Sequence, residues 1–256
     1  MYKFEDTIKR GRISDITLPI SAMNYDGIWL EEAIEGYRTL TVSGREMIAP
    51  EIQSESVNVG SIISSQSLPS RTLKITYQIK NDDPEMILVN FRWLMEYLYR
   101  EQDVPIYFND ELDVLYYGRF SGSDEVPGDR YTITASFDIY CADPRKYSTK
   151  VFEINDEIAG RFPYKTLPIK IVVKIAKNDS LTISNGKETI KITSRKLTTG
   201  DKVVINFSEG KIFINDINRT NWLDLSSDFE NFVLRQGQII NCSNGQLSIQ
   251  YREVSL

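Results

Sequence analysis

The clearest helical period in this sequence lies in "NDDPEMILVNFRWLMEYLYRE", and the runs around it repeat their apolar residues at every second position. That contrast constrains the fold more than any other feature, because a period near 3.6 buries one face of a helix and a period of two buries one face of a strand. Within the helical stretch, Ile87, Phe91, Leu94, Met95 and Leu98 fall at offsets of four, seven, eight and eleven, with Arg92, Glu96 and Arg100 four apart on the other side. Asp82 or Asp83 can cap the helix, Pro84 suits its first position, and Glu85 favours the positive end of its dipole. A helix near residues 84–101 is therefore predicted, lying across a sheet.

The sheet itself is legible on both sides. "RTLKITYQIK" alternates Leu73, Ile75, Tyr77 and Ile79 against Thr72, Lys74, Thr76 and Gln78. "YTITASFDIY" points Tyr131, Ile133, Ala135, Phe137 and Ile139 one way, and "VPIYF" and "VLYYGRF" supply two shorter strands. Residues 1–150 are expected to form a β-rich α+β domain, mostly antiparallel with one packed helix. After "YCADPRKYSTK" the helical signal stops, and short strands such as "DKVVINF", "KIFIND" and "QLSIQYRE" follow, punctuated by turns. Asn185-Gly186 and Asn244-Gly245 are read as two-residue hairpin turns, since a type I′ turn needs positive φ at both centres. Residues 151–256 are expected to be a β-sandwich of jelly-roll type, which makes the whole chain mainly β.

One segment fits neither description. From Ser56 to Ser70, "SVNVGSIISSQSLPS" carries no charge and only broken alternation, yet Val57, Val59, Ile62, Ile63 and Leu68 are apolar. Such an arm either folds over its own domain or is buried against another chain.

Composition narrows the chemistry. The chain has 256 residues, a net charge of -6 and no Lys/Arg block that could follow a phosphate backbone, so nucleic acid is not an expected partner. The first fifteen residues mix both signs of charge, and no run reaches the about 18 apolar residues a membrane span requires, so no membrane partner is expected either. There is no histidine, and Cys141 and Cys242 stand far apart, read as small buried apolar residues. Histidine-based nucleophilic triads and the usual zinc ligand sets cannot be assembled from one chain, and no catalytic residue, cofactor or metal is assigned. No glycine-rich phosphate loop of the common kinds occurs. A glycosidase needs only two carboxylates across a cleft, and Glu31, Glu32, Glu35, Glu111 and Asp113 are candidates; with 36 acidic residues in the chain the pairing carries little information. Trp222, in "INRTNWLDLSSDF", is either a core residue or a platform for a sugar ring.

Taken in succession, "GIWLEEAIEGYRTLTVSGREM", "PSRTLKITYQI", the capped helix, "YYGRF" and "FDIYCADPRKYS" resemble the N-terminal domain of siphophage distal tail proteins, the Dit family. "LTTGDKVVINFSEGKIFIND" and "LSSDFENFVLRQGQIINCSNGQLSIQYRE" resemble the galectin-like sandwich that ends many of its members. The resemblance implies a structural protein of the virion, in which six copies form a ring through their N-terminal domains and join the tail tube to the tip or baseplate. It also implies that extended strands and loops reach the neighbouring subunit, which favours burial of the Ser56–Ser70 arm against another copy. Sugar binding by the sandwich draws only weak support from it.

Overall fold

In a computed structural model, the described residues are 7–8, 18–124, 131–155, 162, 164–193 and 197–256. Of the first fifteen residues, read above for their charge, only 7 and 8 lie among them. The chain divides into two compact units, Met1–Lys146 with Leu256, and Tyr147–Ser255.

The first unit is built on an antiparallel sheet. Its strands in chain order are β1 (Met23–Tyr25), β2 (Ile28–Trp29), β3 (Tyr37–Ser43), β4 (Arg71–Lys80), β5 (Val104–Phe108), β6 (Glu111–Ser123) and β7 (Thr132–Cys141), arranged in space as β2-β1-β5-β6-β7-β4-β3. The alternation read from the sequence is the alternation of burial: Leu73, Ile75, Tyr77 and Ile79 are fully buried, and Phe137 and Ile139 lie opposite Ile75 and Leu73 on β7. Tyr131 departs from the expectation. It lies just before β7 and is exposed, so it adds nothing to the core face.

A single α-turn, α1 (Leu30–Ala33), precedes β3, and the long helix α2 spans Pro84–Leu98. Asp83 is the N-cap, its Oδ1 accepting from the Glu85 N–H at 2.9 Å, and Pro84 opens the helix without a wasted donor. Ile87, Leu94 and Leu98 are buried, with Phe91 and Met95 partly so. Asn90 also lies on that face and donates to the Glu35 carbonyl at 2.9 Å, which ties α2 to the loop before β3.

Gly36 and Gly44 bracket β3 and must be glycine. Both have positive φ, +75° and +87°, and a Cβ at either would fall on the carbonyl oxygen of Lys80 or Thr72 in the adjoining β4. The edge strand is thus drawn against its neighbour at both ends.

The second unit is a sandwich. One sheet contains Phe152–Ile154, Gln246–Tyr251, Lys170–Lys174, Lys202–Asn206, Lys211–Ile214 and Ile217–Asn218 in that order, the other Thr189–Ile192, Leu181–Ser184 and Asn241–Cys242. Ile171, Val173, Ile205 and Ile249 from the first meet Ile183, Ile190 and Ile192 from the second in one core.

The two Asn-Gly turns are not the two-residue hairpins expected. Asn185 is buried, its Oδ1 accepts the N–H groups of Lys187 and Glu188, and of the pair only Gly186 has positive φ. Asn244-Gly245 joins strands of different sheets; Asn244 accepts from the N–H groups of Ala176 and Lys177 and donates to the carbonyls of Lys177 and Asp179. Both asparagines serve as side-chain substitutes for a backbone ladder. Turns with positive φ at both centres lie elsewhere: Asp26-Gly27 closes Tyr25 onto Ile28 between β1 and β2, and Asn215-Asp216 closes Ile214 onto Ile217 without any glycine.

Candidate interaction surface

The arm is a β-hairpin. Strands Glu51–Ser56 and Ser61–Ser67 pair with each other and, among the described residues, with no other strand, and all thirteen strand residues are exposed. The absence of a clear pattern in this segment follows: neither face is buried within the chain, so nothing forces alternation. Val59 at the tip is 93% exposed, and Val57, Ile62 and Ile63 are exposed as well. Leu68 is not part of the free surface; it is partly buried at the root. Two exposed apolar residues of the same region, Ile52 and Met47, escaped the sequence reading because they lie before the uncharged stretch that marked the arm.

The register sorts the hairpin into two unlike faces. Ile52 opposes Gln66, Ser54 opposes Ile63 and Ser56 opposes Ser61 on one side; Glu51 opposes Ser67, Gln53 opposes Ser65 and Glu55 opposes Ile62 on the other. The Ser65 hydroxyl donates to Gln53 Oε1 at 2.8 Å across the second face. A register shift between Gln53 and Ser54 sets this arrangement. It moves Ile63 onto the face of Ile52 and leaves Ile62 beside Glu55. One face is therefore uncharged with two isoleucines, and the other carries both acids.

Arg71 holds the root. It is 2% exposed, and its guanidinium donates to three carbonyls: Pro144 at 2.9 Å, Gly44 at 2.5 Å and Glu46 at 2.7 Å. The ring of Tyr116 lies 5.8 Å from its centre. Among the described residues no carboxylate is within ion-pairing distance of it, and its Nη2 is buried without a protein acceptor. A buried guanidinium fixed by carbonyls costs desolvation energy, and what it secures is the strand leading into the arm.

The acidic candidates lead elsewhere. Glu31 sits on α1, where its two carboxylate oxygens accept the N–H groups of Met23 at 3.2 Å and Thr39 at 3.0 Å, stitching β1 to β3. Burial pushes its carboxyl above the usual range, against these hydrogen bonds. Glu32 and Glu35 are exposed, and Glu111 accepts from the Tyr116 hydroxyl at 3.1 Å and lies 3.6 Å from Arg45. Asp113 is exposed on β6. Among the described residues no group of three or more Asp, Glu or Cys could hold a metal ion.

Trp222 lies on a short 3₁₀ turn, Thr220–Trp222, partly buried against the core of the second unit with the Arg219 guanidinium 5.3 Å from its ring. An open cleft of that unit is lined by Asn155, Lys174, Asn241, Gln246 and Ser248 among others. Trp222 is not one of its lining residues.

Comparison with known proteins matches both units to phage tail components. Residues 37–141 match the phage tail protein RIFT-related domain, and residues 163–254 match the siphovirus-type tail component, C-terminal domain. The chain belongs to the siphophage distal tail proteins. It is 28% identical over 221 residues to the distal tail protein of Bacillus phage SPP1, an alignment covering 79% of this chain and 83% of that one. The crystal structure of SPP1 Dit, described as a paradigm of the hub adsorption apparatus in phages infecting Gram-positive bacteria, superposes with a TM-score of 0.76 at 21% identity, covering 92% of this chain and 99% of that one. A chain of the phage P2 baseplate in its activated conformation with Ca gives 0.56 at 8% identity, covering 96% of each. The mainly β fold is thus shared with distal tail proteins over nearly the full chain.

Proposed function

We propose that this distal tail protein acts as an architectural hub of the virion, six copies closing into a ring between the tail tube and the tip or baseplate. The observation that carries this reading is the hairpin arm, with thirteen exposed strand residues and no partner strand among the described residues, on a chain whose two units match phage tail domains in order. A two-stranded hairpin alone in water is marginally stable at best, and an uncovered strand pair invites pairing with another chain. A ring needs a repeated head-to-tail contact, hence two different surfaces on each subunit. The arm, with Val57, Val59, Ile62 and Ile63 on it, supplies the first of them, and Leu68 seats its root. The role is structural and uses no cofactor.

The test is deletion of the arm. Replacing residues 51–67 with a short Gly-Ser turn leaves the sheet and α2 intact, and the account expects a folded protein that no longer assembles in light scattering at concentrations where the parent does. An arm-less protein that assembles as well as the parent would refute the role given to the arm.

A further inference from the structure

The second unit reverses the charge of the chain. Residues 147–255 hold 15 Lys and Arg against 12 Asp and Glu, a net of +3 in a chain of net charge -6. Part of that excess is gathered on one surface. In the six-stranded sheet Ile171, Val173, Val203 and Ile205 face the core, so the residues alternating with them point outward. The register places Gln246, Lys174 and Lys202 side by side in one outward row, and Gln250, Lys170 and Asn206 in another, with Val172 and Val204 between them.

Lys174 and Lys202 are directly opposite one another and both are exposed. Like charges so placed destabilise an antiparallel pair, and among the described residues neither lysine has a carboxylate partner. The acids nearby are otherwise engaged. Glu153, on the edge strand Phe152–Ile154, accepts from the Ser248 hydroxyl and the Gln250 amide, and Asp201 accepts from the Thr198 N–H and the Asn215 amide. Two opposed ammonium groups without an acid of their own attract an anion from outside. Lys170 stands four residues from Lys174 on the same strand, about 13 Å away, so a chain of several units rather than a single anion meets all three.

The open cleft of this unit begins at the same corner. Lys174, Gln246 and Ser248 belong both to the outward face and to the lining, which Asn155 and Asn241 continue. Its volume of about 740 Å³ is that of a small-ligand site. The corner is rigid: Gly245, at φ +107°, runs so close to Lys174 that a Cβ would fall 2.0 Å from the lysine's carbonyl oxygen, and the Asn244 side chain bonds to both the N–H and the carbonyl of Lys177. Little ordering is left for a ligand to impose. The side-chain amides of the lining both donate and accept, as a hydroxyl-rich ligand requires. No aromatic ring or arginine is among the described lining residues, and those are the groups on which the bases of single-stranded nucleic acid stack.

We propose that this corner of the second unit binds an acidic polysaccharide, its anionic groups on Lys174 and Lys202 and the hydroxyls of one sugar unit on Asn155, Asn241 and Gln246 in the cleft. The anionic group is a carboxylate or a phosphodiester, which lysine meets alike as a point charge. Trp222 takes no part, and the site does not depend on ring formation.

The test is titration of the full chain at low salt with alginate, a poly(ribitol phosphate), dextran, polyglutamate and single-stranded DNA. One of the two acidic polysaccharides binds more tightly than the other three polymers, and its binding weakens as salt rises. Replacing Lys174 and Lys202 together by glutamine weakens it by about fivefold or more, the size of two exposed ion pairs. Gln246→Ala weakens it by about threefold, the size of one hydrogen bond, without affecting polyglutamate, and Lys187→Gln, on a turn outside the site, changes nothing. Lys202→Gln keeps or raises the urea midpoint, because the opposed charges are relieved, which separates lost binding from lost folding. Equal binding by the parent and the double glutamine variant, a Gln246→Ala protein that binds as the parent does, polyglutamate or DNA bound as tightly as either acidic polysaccharide, or no binding of those two, overturns the proposal. Each of these leaves the ring reading standing, since assembly is read from mass without any polymer.

Discussion

Replacing Arg71 by methionine removes the clamp at the root of the arm while keeping much of the aliphatic volume. The side chain donates three hydrogen bonds to carbonyls, and bonds from a charged donor contribute about 1.5–3 kcal/mol each. Their loss is not simply additive. The Gly44 and Glu46 carbonyls lie near solvent and can be rehydrated, and methionine relieves the desolvation of a guanidinium with no carboxylate partner, an offset of a few kcal/mol. The Pro144 carbonyl, on a buried residue, stays unsatisfied. The net loss is expected at about 3 kcal/mol, roughly a 6–12 °C fall in midpoint for a unit of this size. Lysine keeps the charge but cannot reach three carbonyls at once, and should lose about half as much. Urea unfolding followed by hydrogen exchange of the amides in β3 and β4 reads the effect, together with faster exchange across residues 51–67. If methionine costs less than about 0.5 kcal/mol, the guanidinium is not holding the root and the reasoning fails.

Three further outcomes follow from the same structure. Gly44→Ala places a methyl group on the Thr72 carbonyl at φ +87° and should cost about 2–3 kcal/mol, whereas Gly186→Ala, at φ +88° with open space around it, should cost about 1 kcal/mol, both read by urea midpoint. Glu31 has its carboxyl raised from the ordinary 4.5 by burial, so above that pH the unfolded chain releases a proton that the folded chain retains, and stability falls as pH rises through the window. The stability of the parent relative to Glu31→Gln should therefore decline between pH 4 and pH 7; a constant or rising difference would contradict the burial argument. Asn244→Ala deletes a side chain that bridges Ala176, Lys177 and Asp179, and should destabilise the second unit by about 2–3 kcal/mol while leaving amide exchange in the first unchanged.

How much of this was legible in the sequence depended on burial. Strand β4 and helix α2 were readable because one face of each meets a core, and the pleat or the helical turn then imposes its period on the residues. The arm was readable only as an anomaly, because strands exposed on both faces have no period to show. Its charge difference appears only once the register is known, and the register depends on a shift that no composition records. The Asn-Gly turns misled for a related reason: Asn185 and Asn244 are buried and use their side chains to hold several backbone groups, a demand that a short-range turn rule does not contain. Glu31 lacked any signal, since a carboxylate that bridges two strand N–H groups looks in sequence like its exposed neighbours Glu32 and Glu35.

The measurement that bears most directly on the central claim is negative-stain imaging of the purified chain at rising concentration, with mass determined in parallel. Ring-shaped particles with a central opening and six-fold averages, of six times the 29.5 kDa chain mass, are expected, and they are lost when residues 51–67 are removed. Particles of one chain mass at every concentration, alone and when mixed with tail-tube and tail-tip proteins, would contradict it.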